Sequence, residues 1–166
     1  MAHNISIAEL SASVVTAAAA SRARMITAES CTAGSLTTLL ADTPGAGDVL
    51  LGGLITYAKA CKTELLATPP EILETSSAVS EEVAKAMVKG ALEGCASASI
   101  AVATTCVGGP EPDEDGNPVG LAYIAVQRRG NVAGVRQFSF EGDTPGRIRG
   151  EVLRQALLML LEALPA

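Results

Sequence analysis

Histidine is almost absent from this chain of 166 residues: there is one, His3. A Ser–His–Asp triad, a Cys–His pair and an HExxH zinc site each need a buried, positioned imidazole. A residue three positions from the N-terminus lies where chain ends are loosely held. Those routes to hydrolysis are excluded, and any base must be another side chain. Tryptophan is missing and aromatics make up 2% of the residues, against 48% hydrophobic, so the core is built from Ala, Val, Leu and Ile. Twelve Lys and Arg face eighteen Asp and Glu, for a net charge of −6. That balance excludes a duplex-binding surface, which needs clustered cations, but leaves room for one small phosphate-bearing ligand. No apolar run reaches the ~20 residues of a membrane span. The basic, apolar and cleavage-site order of a signal peptide is not found at the N-terminus either. The four cysteines, Cys31, Cys61, Cys95 and Cys106, show no CxxC spacing and read as reduced thiols of a cytoplasmic protein. No metal-ligand spacing is present; the acidic run at residues 111–115 matches no calcium loop and reads as a solvated loop tip.

What is present alternates between two periods. Ser6-Ile7-Ala8-Glu9 is a capping box that opens a helix through the alanine-rich stretch. Residues 24–28 read as a strand, and a helix is expected from about Cys31 to Ala41, with Ser30 as its cap. Asp42-Thr43-Pro44-Gly45 ends it. Residues 49–57 read as a strand whose Gly52-Gly53 pair marks a bulge or a close backbone approach. Residues 59–66 read as a short helix closed by Thr68-Pro69-Pro70. Ser80 caps another, with Glu81 and Glu82 at the positive end of its dipole. Residues 99–105 form a strand before a long Gly/Pro/acidic loop at 107–118. Residues 119–127 and 132–140 make a hairpin across Arg128-Arg129-Gly130-Asn131. Thr144-Pro145 starts a final amphipathic helix. Strands alternating with helices and ending in a hairpin predict one domain over residues 1–166, a three-layer α/β/α sandwich with a mixed β-sheet.

In open α/β sheets ligands gather at the carboxyl ends of strands. Three segments deliver polar residues there: Glu29-Ser30-Cys31-Thr32-Ala33-Gly34, then Tyr57 with the lysines after it, and Thr104-Thr105-Cys106-Val107-Gly108-Gly109-Pro110. Ser30 reads either as a helix cap, worth about 1 kcal/mol, or as a nucleophile held where backbone N–H groups meet an oxyanion. Without a histidine, its activation falls to a lysine of lowered pKa, and Lys59 and Lys62 are equivalent by spacing. Cys31 is a rival nucleophile at a helix start or a small buried hydrophobe. Tyr57 reads as core or site, and the Gly108-Gly109 loop as a turn or a phosphate cradle.

Together these segments resemble one family, the CinA C-terminal domain, whose active members are nicotinamide-nucleotide amidases. The resemblance is carried in order by Glu29 to Gly34, Thr43-Pro44-Gly45, Gly52-Gly53-Leu54-Ile55-Thr56-Tyr57, Lys62 and Ala78-Val79-Ser80-Glu81-Glu82-Val83-Ala84. It continues through Thr105, Gly109-Pro110, Pro118-Val119-Gly120, and Phe140 with Gly142-Asp143. It implies a stand-alone form of the domain, without cofactor or metal, that hydrolyses nicotinamide mononucleotide to nicotinate mononucleotide and ammonia. It also implies Ser30 as nucleophile, Lys62 as base with Tyr57 beside them, and Cys31, Thr32, Gly34, Thr105, Gly108 and Gly109 around the substrate. The expected partner is thus a small nucleotide, with neither nucleic acid nor membrane; an exposed hairpin edge makes a homo-oligomer an open expectation. The chain departs from the family's usual pattern at Ala33, where a second glycine is usual, and at Cys106, which also stands for a glycine. Asn117 and Thr144 replace a common lysine and arginine. A narrower pocket and a weaker phosphate grip are the expected effects, which keep two alternatives open: a nucleotide-like ligand-binding protein without turnover, and an amidase for another small carboxamide.

Overall fold

A computed structural model describes residues 5–142 and 144–165; His3 and Asp143 lie outside the described residues. The elements, in order, are α1 (Ile7–Ala20), β1 (Met25–Glu29), α2 (Ser35–Ala41), α3 (Ala46–Val49), β2 (Leu50–Ile55), α4 (Lys59–Leu66) and α5 (Pro70–Thr75). Then come α6 (Glu81–Gly94), β3 (Ile100–Cys106), β4 (Leu121–Arg128), β5 (Gly134–Ser139) and α7 (Pro145–Ala163). The sheet runs β2-β1-β3-β4-β5. β1 pairs in parallel with β2 and β3, while β3–β4 and β4–β5 are antiparallel. Helices α1, α2 and α7 cover one face of this mixed sheet, over a core that includes Val14, Leu36, Ile124 and Leu157. On the other face α4, α5 and α6 bury Leu66, Leu73, Val83 and Met87. The two faces make the three-layer α/β/α sandwich expected from the alternating pattern.

Local chemistry explains most boundaries. The Ser6–Glu9 capping box opens α1, Ser80 caps α6 through the Val83 N–H, and Thr144 caps α7 with Pro145 at its first turn. In the middle of the sheet β1 and β3 are mostly apolar or small, with Thr27, Glu29, Thr104 and Thr105 as buried polar residues; all five residues of β1 are buried, as a parallel strand covered by helices must be. The β1–β2 register slips once: Met25 faces Leu50 and Ile26 faces Gly52, leaving Leu51 as an extra residue. This is the irregularity that the glycine pair announced. Gly53 has a packing reason as well, since a Cβ there would stand 2.1 Å from Thr37 Oγ1 and 2.4 Å from Thr27 Oγ1. Among the described residues no helix is long and apolar enough to cross a membrane.

One helix begins later than expected. The chain does not enter α2 at Cys31 but makes a turn over 31–34, in which Ala33 has φ 49° and Gly34 φ 92°. Ser30 is therefore not a helix cap; Gly34 occupies that place without a side-chain bond of its own. The cap is supplied from a distance. The Glu29 carboxylate, fully buried, accepts from the backbone N–H groups of Gly34 (3.0 Å), Leu36 (3.1 Å) and Thr37 (2.8 Å) and from the Thr37 hydroxyl (2.6 Å). Short helices α3 and α5 lie where no helix was expected, the first between the Asp42–Gly45 turn and β2 and the second directly after Thr68-Pro69; Pro70 opens the second at its first turn.

Candidate active site

Strand order reverses about β1: the chain goes from β1 to its neighbour β2, then crosses to β3 on the other side. The segments leaving the carboxyl ends of these strands diverge there and open a crevice, the usual ligand place in such sheets. Backbone bonds hold its walls together. Ser30 N–H donates to the Thr104 carbonyl (3.0 Å) and Thr56 N–H to the Glu29 carbonyl (2.8 Å), so the residues that follow the three strands are in register.

Ser30 and Lys62 meet at the buried end of this crevice. Lys62 Nζ lies 2.9 Å from Ser30 Oγ, 2.6 Å from the Thr56 carbonyl oxygen and 3.2 Å from that of Tyr57. Lys62 is fully buried and Ser30 nearly so. No carboxylate lies within ion-pair distance of Lys62 among the described residues. Burial without a counter-ion disfavours the ammonium and pushes the Lys62 pKa down to about 8; the neighbouring Cys61 opposes this and the charge of Lys59 adds to it. A neutral amine has two hydrogens and one lone pair. The two backbone carbonyls accept the hydrogens, and the lone pair is left facing Ser30 Oγ, where it can accept that hydroxyl's proton.

Lys59, three positions earlier on α4, has a different fate. It sits at the crevice mouth, one-third exposed, and bridges Glu114 (2.7 Å) and Asp115 (3.0 Å) of the long loop. Those carboxylates, Glu114 foremost, raise its pKa and keep it an ammonium. The acidic run is thus held against the crevice by Lys59 rather than left as a free tip. Asn117 closes the same loop by donating from Nδ2 to Ser77 Oγ and Asp113 Oδ2, both at 2.8 Å.

The resulting cavity measures about 610 Å³ and is lined by Ser30, Cys31, Tyr57, Lys62, Thr105, Gly108 and Gly109, among others. Tyr57 follows β2 rather than ending it and is 72% exposed as a residue; the carbonyl, not the phenol, touches Lys62. Thr105 Oγ1 donates to the Ala78 carbonyl at 2.8 Å, tying the β3 end to the segment before α6. Two named residues do not reach the cavity. Thr32 is fully buried with its hydroxyl on Thr104 Oγ1 (2.8 Å). Gly34 donates its N–H to Glu29 and lies against Ile55, on another surface. The N–H groups of Cys31 and Thr32 meet no acceptor among the described residues. The helix N-terminus is closed to any substrate oxyanion because Glu29 already occupies it, which leaves the N–H of Cys31 beside the serine on the cavity wall.

Sequence reasoning overlooked two features. Arg149, from the first turns of α7, lines the cavity, and its Nε is buried without a partner among the described residues; an arginine one turn after a Thr-Pro helix start was the available signal. The second corrects the cysteine reading: Cys31 and Cys106 form a disulfide, with Cα atoms 5.6 Å apart and 75 residues between them in sequence. Pairing depends on β1 and β3 being neighbours, which no local pattern encodes. Cys61 and Cys95 are free thiols. Among the described residues no three His, Cys, Asp or Glu side chains converge as a metal site requires.

The family model of the CinA C-terminal domain matches residues 7–164. A CinA-like protein of Akkermansia muciniphila is 38% identical over 156 residues, covering 94% of this chain and 37% of its own length. One from Mycobacterium avium is 46% identical over 104 residues, 63% of this chain and 24% of its own. The chain thus spans about a quarter to a third of the curated relatives it matches. Among solved structures, a competence-damaged protein (CinA) superfamily protein from Escherichia coli superposes with a TM-score of 0.92 at 33% identity, over 98% of this chain and 92% of that one. The competence damage-inducible protein A of Klebsiella pneumoniae gives 0.91 at 34% identity, over 96% and 98%.

Proposed function

Since the chain belongs to the CinA C-terminal domain family, we propose that it is a Ser–Lys amidase that converts nicotinamide mononucleotide to nicotinate mononucleotide and ammonia. The observation that carries this reading is the 2.9 Å contact between Ser30 Oγ and a fully buried Lys62 that lacks a counter-ion. Neutral Lys62 takes the Ser30 proton as Oγ attacks the carboxamide carbon. The N–H of Cys31, which follows the serine on the cavity wall, stabilises the tetrahedral oxyanion. The Lys62 ammonium then returns the proton to the departing nitrogen, and water releases nicotinate mononucleotide from Ser30 by the same base in reverse. The cavity of about 610 Å³ falls in the size range of small-molecule sites, roughly 300–1,000 Å³. Arg149 and the N–H groups of Gly108 and Gly109 are the groups on its wall suited to a phosphate.

Product analysis with purified protein and nicotinamide mononucleotide tests the reading. Ammonia and nicotinate mononucleotide appear together, and Ser30→Ala lowers the rate about a thousandfold or more, while chelators leave most of it and Cys31→Ala, which also removes the bridge to Cys106, costs about tenfold at most. Loss in Cys31→Ala with persistence in Ser30→Ala sinks the dyad. One observation supports a second reading, an amidase for a carboxamide without phosphate: Glu111, Asp113, Glu114 and Asp115 share the cavity wall with Lys59, Lys62 and Arg149. A panel of amides with and without the phosphate separates the two.

A further inference from the structure

The proposed hydrolysis makes no use of the sulfur atoms of Cys31 and Cys106, yet both residues line the cavity and both are half-buried. Cys31 follows the serine on the turn after β1, and Cys106 is the last residue of β3. Their Cα separation of 5.6 Å lies within the usual range for a disulfide, about 4.4–6.8 Å. The bridge joins the turn that carries Ser30 and the unpaired N–H groups to the strand end that leads into Gly108 and Gly109. With the bridge closed, Ser30 and Lys62 remain at 2.9 Å. Reduction cuts the covalent tie between this turn and strand end, and the two thiol sulfurs then stand farther apart than the bond allowed. The two free cysteines, Cys61 and Cys95, are not on the cavity wall.

We propose that Cys31 and Cys106 are a reversible oxidative modification site, formed by hydroperoxides and undone by dithiols, whose bridged form holds the amidase centre assembled. The activity part of this proposal rests on the function proposed above; the thiol chemistry does not. One thiolate attacks the O–O bond of hydrogen peroxide, giving a sulfenic acid and, after protonation, one water. The second thiol displaces the sulfenic oxygen as another water and the S–S bond forms. Two thiols and one peroxide thus become one disulfide and two waters. A dithiol reductant returns two electrons and two hydrogens, ending as its own cyclic disulfide. Both cysteines are partly exposed on the wall of the open cavity, which is wide enough for small oxidants and reductants.

The full chain is treated with hydrogen peroxide or with dithiothreitol, desalted, and compared. Alkylation under denaturing conditions followed by mass spectrometry finds two free thiols in the oxidised sample and four in the reduced one, with Cys31 and Cys106 in one linked peptide pair. Because the bridge closes a long loop, the oxidised form melts about 10 °C higher. It releases ammonia from nicotinamide mononucleotide about tenfold faster, as expected for displacement of groups near a reacting centre. In Cys106→Ala neither the melting temperature nor the rate responds to peroxide or dithiothreitol. Four free thiols after peroxide, equal melting and rates in both states, or a slower oxidised form overturn the proposal. If no preparation releases ammonia, the proposed function fails, and the thiol count with the melting difference still decides whether the redox site exists.

Discussion

Two charged side chains are buried within a few residues of Ser30, and they are treated in opposite ways. Glu29 is surrounded by donors: three backbone N–H groups and the Thr37 hydroxyl all point at its oxygens. Lys62 is surrounded by neutral acceptors and has no carboxylate partner. The first arrangement compensates a buried charge in full and fixes the start of α2. The second withholds compensation and thereby favours the neutral amine. A buried charge with a full set of donors builds structure, whereas one held by neutral acceptors, unsatisfied only in lacking a counter-ion, is biased toward its uncharged form, and Ser30 follows the first in sequence and touches the second.

The largest expected effect comes from removing the unsatisfied member. Lys62→Met keeps the volume and removes the base, and steady-state kinetics with nicotinamide mononucleotide show a loss of about a thousandfold or more. The same substitution leaves the melting temperature at pH 7 unchanged or higher, because it also removes a strained ionisation. Removing the satisfied member does the reverse. Glu29→Gln confronts three N–H donors with an amide that carries its own hydrogens, and urea denaturation shows about 2–4 kcal/mol of lost stability. Equal stability losses in the two variants would dissolve the comparison.

The comparison also has a pH signature. Lys62 has a folded-state pKa of about 8 against an ordinary value of about 10.4 for lysine. Between these values the unfolded chain binds more protons, so stability rises with pH there and is lost as pH falls through about 8. The accumulated loss at pH 7 is on the order of 3 kcal/mol. Denaturation curves from pH 7 to 10.5 show this slope in the parent chain and not in Lys62→Met. Activity follows the same ionisation: kcat/KM rises through pH 8 and levels off above it, since only the neutral amine accepts the serine proton. A profile flat from pH 6 to 10 would remove Lys62 as the base. The smallest effect belongs to the turn between the two groups. Ala33 holds φ 49°, which costs a residue with a Cβ about 1 kcal/mol, so Ala33→Gly leaves stability unchanged or raises it by about 0.5 kcal/mol in thermal melts.

The same two residues mark how far the sequence could be read. The elements came through because their signals are local: the Ser6–Glu9 box, the Ser80 cap and the Thr144-Pro145 start each act over three or four residues. The start of α2 was misplaced because its cap comes from Glu29, five to eight residues earlier and across a left-handed turn. Spacing left Lys59 and Lys62 equal. Their difference is tertiary: one reaches an acidic loop more than fifty residues away, the other turns under the Thr56 and Tyr57 carbonyls. The family resemblance pointed to Lys62, and it could not have pointed to the Cys31–Cys106 bridge, because Cys106 is where this chain departs from the usual pattern. Thr32 and Gly34 were named with the motif that contains them, yet motif membership does not say which way a residue faces.

Leu51, the extra residue in the β1–β2 register, has a consequence for how such a chain can change over time. Downstream of it the pairing is regular, from Ile26 opposite Gly52 to Glu29 opposite Ile55, so the slack is taken up before the residues that present their carbonyls to Lys62. A one-codon deletion at position 51 would leave Leu50 next to Gly52, opposite Met25 and Ile26 as before, and the residues that follow would keep their places. The bulge is thus a buffer: descendants can lose the extra position there, whereas length between Gly52 and Lys62 is under a restraint that residue identity does not express.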